Sequence, residues 1–132
     1  MRTLLAAACA ALALAAGPAS AQADYPQKPV RILVGANAGG GTDVIARMLA
    51  EKFAESLKQP FVVENRPGAS NTIAADLTAK APGDGYTLLV ATNTVVTNPA
   101  VAKAPFDVVK DFTPVALIGS TAVALAVHPA FP

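Results

Sequence analysis

Residues 35–43 read Gly-Ala-Asn-Ala-Gly-Gly-Gly-Thr-Asp and stand between an apolar run and a segment of helical character. Glycines leave backbone N–H groups bare of side chains, and the start of a helix adds partial positive charge. Together these make a site for an anion. The candidate contacts in this stretch are Ala36, Asn37, Gly39, Gly40, Gly41, Thr42 and Asp43. Two later loops, "NRPGASNT" and "TNTVVTN", add Ser70, Asn71, Thr92 and Asn93, all small and polar. Arg66 is the obvious cation nearby, balanced between touching a ligand and pairing with a neighbouring carboxylate. Asp43 and Asp76 read as helix-surface or capping carboxylates rather than catalytic acids.

The kind of anion follows from what the loop lacks. Gly35 and Gly40 have the spacing of a triphosphate-binding loop, with Thr42 at its end, but Gly41 occupies the position of the essential lysine. A dinucleotide fingerprint needs a third glycine, and Gly39-x-Gly41 runs instead into Thr42, Asp43 and Val44. A small carboxylate is the better guest for a loop of amides and one hydroxyl. His128, the sole histidine, has neither a serine elbow nor a paired carboxylate near it, so no nucleophile and base are visible. No metal-ligand spacing is present, and neither a metal nor a cofactor is expected. The site binds an anion and has no machinery to change it.

These loops must be held by the rest of the chain. Met1 and Arg2 precede an apolar stretch, Leu4–Ala16, too short to span a bilayer, and Ala19-Ser20-Ala21 offers a cleavage site before Gln22. Residues 1–21 are therefore expected to be a secretory signal peptide. Cys9 lies inside it without the bulky residue a lipidation site needs, so the mature chain carries no cysteine. Loss of Arg2 leaves nine basic residues against nine acidic ones, scattered without a basic stripe, which argues against nucleic acid as a partner. No later apolar run is long enough to cross a membrane, and a soluble mature chain is expected.

Residues 22–29 read as a tether. Val30–Val34 is a strand of the kind buried on both faces. Thr42 is the expected N-cap of a helix whose Ile45, Met48, Leu49, Phe53 and Leu57 share a core-facing side, ended by Pro60. "FVVE" is a second strand, "NTIAADLTAK" a short helix burying Ile73 and Leu77, and Thr87–Ala91 a third strand. A helix around Thr94–Val101, interrupted by Pro99, precedes strands near Pro114–Ile118 and Ala122–Val127. The alternation predicts an α/β fold, a parallel-sheet lobe with helices on both faces. Ligands of such sheets gather where strand-to-helix loops meet, at the strands' carboxyl ends.

In order, "YPQKPVRILV", "GGGTDVIARMLAEKF", "FVVENRPGAS", "KAPGDGYTLLVATN", "NPAV", "FDVVKDFTPVALIG" and "VHPAFP" resemble the extracytoplasmic solute receptors of tripartite tricarboxylate transporters, the Bug receptors. The resemblance runs from Tyr25 to Pro132. It implies the first lobe of a type II periplasmic binding protein, closing on a small organic carboxylate and delivering it to membrane permease subunits. It also implies a non-enzymatic protein, monomeric at full length, gripping its ligand largely through backbone amides. Two stretches depart from the family: Gly35-Ala36-Asn37-Ala38 stand where it has an aromatic and prolines, and Ser70 and Asn71 stand where it often has glycines. Family chains are more than twice as long, so residues 30–121 are expected to form lobe one and 122–132 a strand approaching a hinge, with the second lobe absent. The rival readings are a secreted Rossmann-like nucleotide enzyme and a sensory module for a signalling partner.

Overall fold

The computed structural model describes residues 25–120 and Ala126. The expected signal peptide, His128 and nearly all of the strand expected at Ala122–Val127 lie outside the described residues. Three strands, β1 (Val30–Val34), β2 (Phe61–Asn65) and β3 (Thr87–Val90), form a parallel sheet in the order β2-β1-β3. The helices are α1 (Gly41–Leu57), α2 (Thr72–Ala79) and α3 (Thr94–Val101), with a 3-10 turn at Ala69–Asn71.

The central strand is the most apolar. Val30, Ile32, Leu33 and Val34 are each 1% exposed or less, as a strand covered on both faces requires. Arg31 is the exception, and it reaches across to Glu64 of β2 with two hydrogen bonds of 2.8 and 3.1 Å. Successive side chains of a strand point to opposite faces. Accordingly Ile32, Val34, Leu88 and Val90 pack with Ala46 and Ala50 of α1, while Leu89 joins Ala75, Val95, Phe106 and Phe112 on the other side. The chain passes from β1 outward to β2, then back across β1 to β3. Right-handed crossovers in opposite directions put their helices on opposite faces. The carboxyl ends of β1 and β3 therefore flank the point where the winding reverses, the usual crevice for a ligand.

Several expectations are corrected. Helix α1 is capped by the backbone of Gly40, with no side-chain cap, so Thr42 lies inside the first turn. Its buried residues are Asp43, Ala46 and Ala50, whereas Ile45, Met48, Phe53 and Leu57 are 37–62% exposed. Small residues let the helix approach the sheet closely, and the large ones are turned to its flank. The helix ends at Leu57 through Lys58, whose left-handed conformation lets its N–H reach the Ala54 carbonyl, before Pro60 is met. In α2 the same substitution of small for large occurs: Ala74 and Ala75 are buried, Ile73 and Leu77 exposed. Pro114–Ile118 is not a strand, and Val115 and Leu117 are more than four-fifths exposed. Its apolar composition finds no pairing strand among the described residues. Within the tether, Tyr25, Gln27 and Lys28 are bound to the turn before β3, at Gly85, Tyr86 and Asp84.

Candidate functional site

The glycine loop leaves the end of β1 at Gly35, which is buried against the second loop. A Cβ there would lie 2.7 Å from both Cβ and Oδ1 of Asn71, so only glycine allows this approach. Gly39 has a φ of 82°, open to glycine at little cost. Its N–H donates to Asp43 Oδ2 at 2.8 Å, and the N–H of Gly40 donates to the Asn37 carbonyl at 3.1 Å. Two of the three glycine amides are thus spent inside the loop. The N–H groups of Gly41, Thr42 and Asp43 precede the first intrahelical bond, from Val44 to Gly40, and have no partner among the described residues. They are the donors this loop offers to an anion.

Of the two roles expected of Asp43, helix surface or capping, the surface one does not hold. Asp43 is 2% exposed, and both oxygens are occupied: Oδ2 by Gly39 N–H and by Arg47 Nε at 3.0 Å, Oδ1 by Asn65 Nδ2 at 2.9 Å. The Arg47 guanidinium first, then the Gly39 amide and Asn65, hold its pKa down at about 2. Asn65 also donates to the Ala36 carbonyl at 3.1 Å and accepts from Arg47 Nη2 at 3.0 Å. One side chain therefore grips both ends of the loop. Asn65 was not among the sequence candidates. Its signal is the register that sets it beside Val34, the last residue of β1, and register cannot be read from the chain alone.

On the other side of β1, Asn71 sits in a left-handed conformation, with φ of 70°. Its Nδ2 donates to Thr92 Oγ1 at 3.0 Å and to Thr94 Oγ1 at 2.6 Å, and the two hydroxyls lie 2.7 Å apart. This cluster ties the second loop to the third, and Thr94 belongs to it although the sequence did not single it out. An open groove of about 680 Å³ is lined by Gly35, Ala36, Asn37, Pro67, Ser70 and Asn71, with Gly68 between. Of the candidates, Ala36, Asn37, Ser70 and Asn71 thus share the groove, Thr92 stands behind Asn71, and Gly39 to Asp43 form the turn into α1. Asn93 is apart, capping α3, where its carbonyl accepts from Val96 and Thr97.

The nearby cation is already paired. Arg66 Nη2 lies 3.1 Å from Glu64 Oε2, and Arg31 holds the same carboxylate, keeping its pKa below the ordinary glutamate range. Asp76 bonds Lys80 one helical turn on at 2.7 Å and stands away from the groove lining. Among the described residues no group of three or more His, Cys, Asp or Glu could hold a metal, and no helix is long and apolar enough to cross a membrane.

Comparison with known proteins fits this geometry. A UPF0065 protein in the gbd 5' region of Cupriavidus necator is 46% identical over 111 residues, which is 83% of this chain and 34% of that protein. Protein BugT of Bordetella pertussis is 40% identical over 117 residues, 86% of this chain and 36% of its own. The chain spans about a third of the length of these curated relatives. Among solved structures, MatC from Rhodopseudomonas palustris with bound malate is similar at 37% identity and a TM-score of 0.61, over 70% of this chain and 32% of that one. The fold is accordingly an incomplete α/β lobe of a type II periplasmic binding protein. The description "tripartite tricarboxylate transporter family receptor" matches residues 45–132, two-thirds of the sequence, and the chain belongs to that family.

Proposed function

We propose that this chain is a lobe of a periplasmic solute-binding receptor that captures a small organic carboxylate and presents it to the permease subunits of a tripartite transporter. The observation that carries this reading is the row of free N–H groups at Gly41, Thr42 and Asp43, opening beside a polar groove, with the neighbouring cations Arg47 and Arg66 already paired to Asp43 and Glu64. Amides and hydroxyls suit a carboxylate. A nucleoside triphosphate calls for the lysine that Gly41 replaces. The malate held by the similar MatC supports the ligand class. Each hydrogen bond to a charged group contributes about 1.5–3 kcal/mol, so two or three of them supply much of a micromolar affinity. The chemistry stops at binding, and delivery through an export signal and a cleaved amino terminus places the receptor in the periplasm.

Calorimetric titration of the full-length receptor tests this. A panel of malate, adipate and citrate should include at least one micromolar or tighter ligand, with no heat from ATP or NAD. Binding of a nucleotide, or of no carboxylate, would overturn the reading.

A further inference from the structure

We propose that the side chains of Asp43, Asn65 and Arg47 are positioning groups of the binding site, a clasp that sets the glycine loop before the ligand arrives and makes no side-chain contact with the ligand. This rests on the receptor reading above. Asp43 has no oxygen left over, since Gly39, Arg47 and Asn65 occupy both, and it is nearly inaccessible. A bare carboxylate beside an anion site would repel the guest. Here the Arg47 guanidinium, 3.0 Å away, offsets that charge.

The clasp is directional. Arg47 Nη2 donates to Asn65 Oδ1, which fixes the amide so that its Nδ2 faces the Ala36 carbonyl and Asp43 Oδ1 together. The opposite orientation would set oxygen against two acceptors. With Ala36 held at one end and Gly39 at the other, the loop between has one further internal bond, Gly40 to Asn37. Turning the Gly39 N–H inward sends the next peptides into α1 with their own N–H groups outward. A loop set in this way has little freedom left to lose on binding, and that saving appears as affinity.

The test uses the full-length receptor with malate as probe, adipate and citrate serving where malate does not bind. Asp43→Asn keeps the shape but offers one acceptor to three donors. Asn65→Ala removes the grip on both ends, and Arg47→Ala removes the orienting partner from a half-exposed position that leaves the core untouched. Affinity should fall at least tenfold in the first two and threefold to tenfold in Arg47→Ala, while the melting temperature drops by a few degrees at most. The Gly39 amide should resonate at low field and exchange slowly in the parent, and lose both properties in Asp43→Asn and Asn65→Ala while amides of β1 keep theirs. Affinity within twofold of the parent in Asn65→Ala and Arg47→Ala, or an unchanged Gly39 amide, would overturn the clasp alone. A parent that binds no carboxylate would overturn the receptor reading, and the clasp's role in affinity with it.

Discussion

The two ends of the sheet are finished in opposite ways. At the amino end, side chains close over the strands and consume the available donors. Tyr25 Oη donates to the Gly85 carbonyl at 2.6 Å, and Tyr86 Oη accepts from Gln27 N–H at 2.9 Å. The two rings meet edge-on at 5.1 Å, and Lys28 sits 4.2 Å above Tyr86 while pairing with Asp84. At the carboxyl end, polar side chains also bind the chain to itself, but they stop short of the helix start. Asp43 and Asn65 secure the loop before Gly41 and Thr42, Asn71 joins the second loop to the third, and the Gly41 and Thr42 amides are left open. One end is a lock for stability. The other is a frame around unsatisfied donors, and unsatisfied donors are what a ligand can satisfy.

Gly35→Ala should have the largest effect, because it forces Asn71 away from β1 and separates the loops that form the groove. Overpacking of this kind costs about 1–3 kcal/mol. Thermal melting should fall by several degrees, and calorimetry should show malate, or whichever panel member binds, weakened at least tenfold. Tyr86→Ala strikes the other end. Loss of the aromatic pair and of a hydrogen-bond acceptor should cost about 1–3 kcal/mol in stability, with ligand affinity within twofold of the parent. An affinity change there would show that the two ends are coupled.

Acid should loosen the carboxyl end in a defined window. The folded pKa of Asp43, about 2, lies below its ordinary value of 3.8, so its contribution is fully present above the ordinary value and is lost as pH falls through the folded one. Denaturation midpoints followed from pH 5 to 2 should decline in the parent and decline less steeply in Asp43→Asn. The smallest effect belongs to Gly41→Ala. Beyond its chain neighbours and the helix's own backbone, no atom lies within 4 Å of the added methyl, and the N–H is retained, so stability should move by less than about 0.5 kcal/mol and affinity by less than twofold. A large loss would mean that the ligand packs against the Gly41 Cα, sharpening the position of the site.

Strong local signals made much of the fold legible. The β-branched run of β1 and the segment of α3 have the bounds their residues imply, and β3 differs by one residue. The buried faces of α1 and α2 were not legible. Periodicity identifies a large apolar stripe, yet close contact with the sheet selects Ala46, Ala50, Ala74 and Ala75. In the proposed site, composition pointed to an anion loop, and the structure brings Asn71 beside it with Thr92 behind. It did not reveal that Gly39 and Gly40 turn their amides inward, which depends on the positive φ at Gly39 and the acceptor at Asp43. Asn65 and Thr94 were missed for the same reason: their roles come from partners 22 and 23 residues distant, set by register and crossover.

Amide spectra of the isotopically labelled full-length receptor, recorded as malate or another binding carboxylate is added, test the contrast between the two ends most directly. The largest shifts should fall on the N–H groups of Gly41, Thr42 and Asp43, moving to low field as they gain a carboxylate acceptor, while Gln27, Gly85 and Tyr86 stay still. Saturable binding that leaves Gly41 to Asp43 unmoved, or that moves the amino end instead, would contradict a carboxylate site at the start of α1.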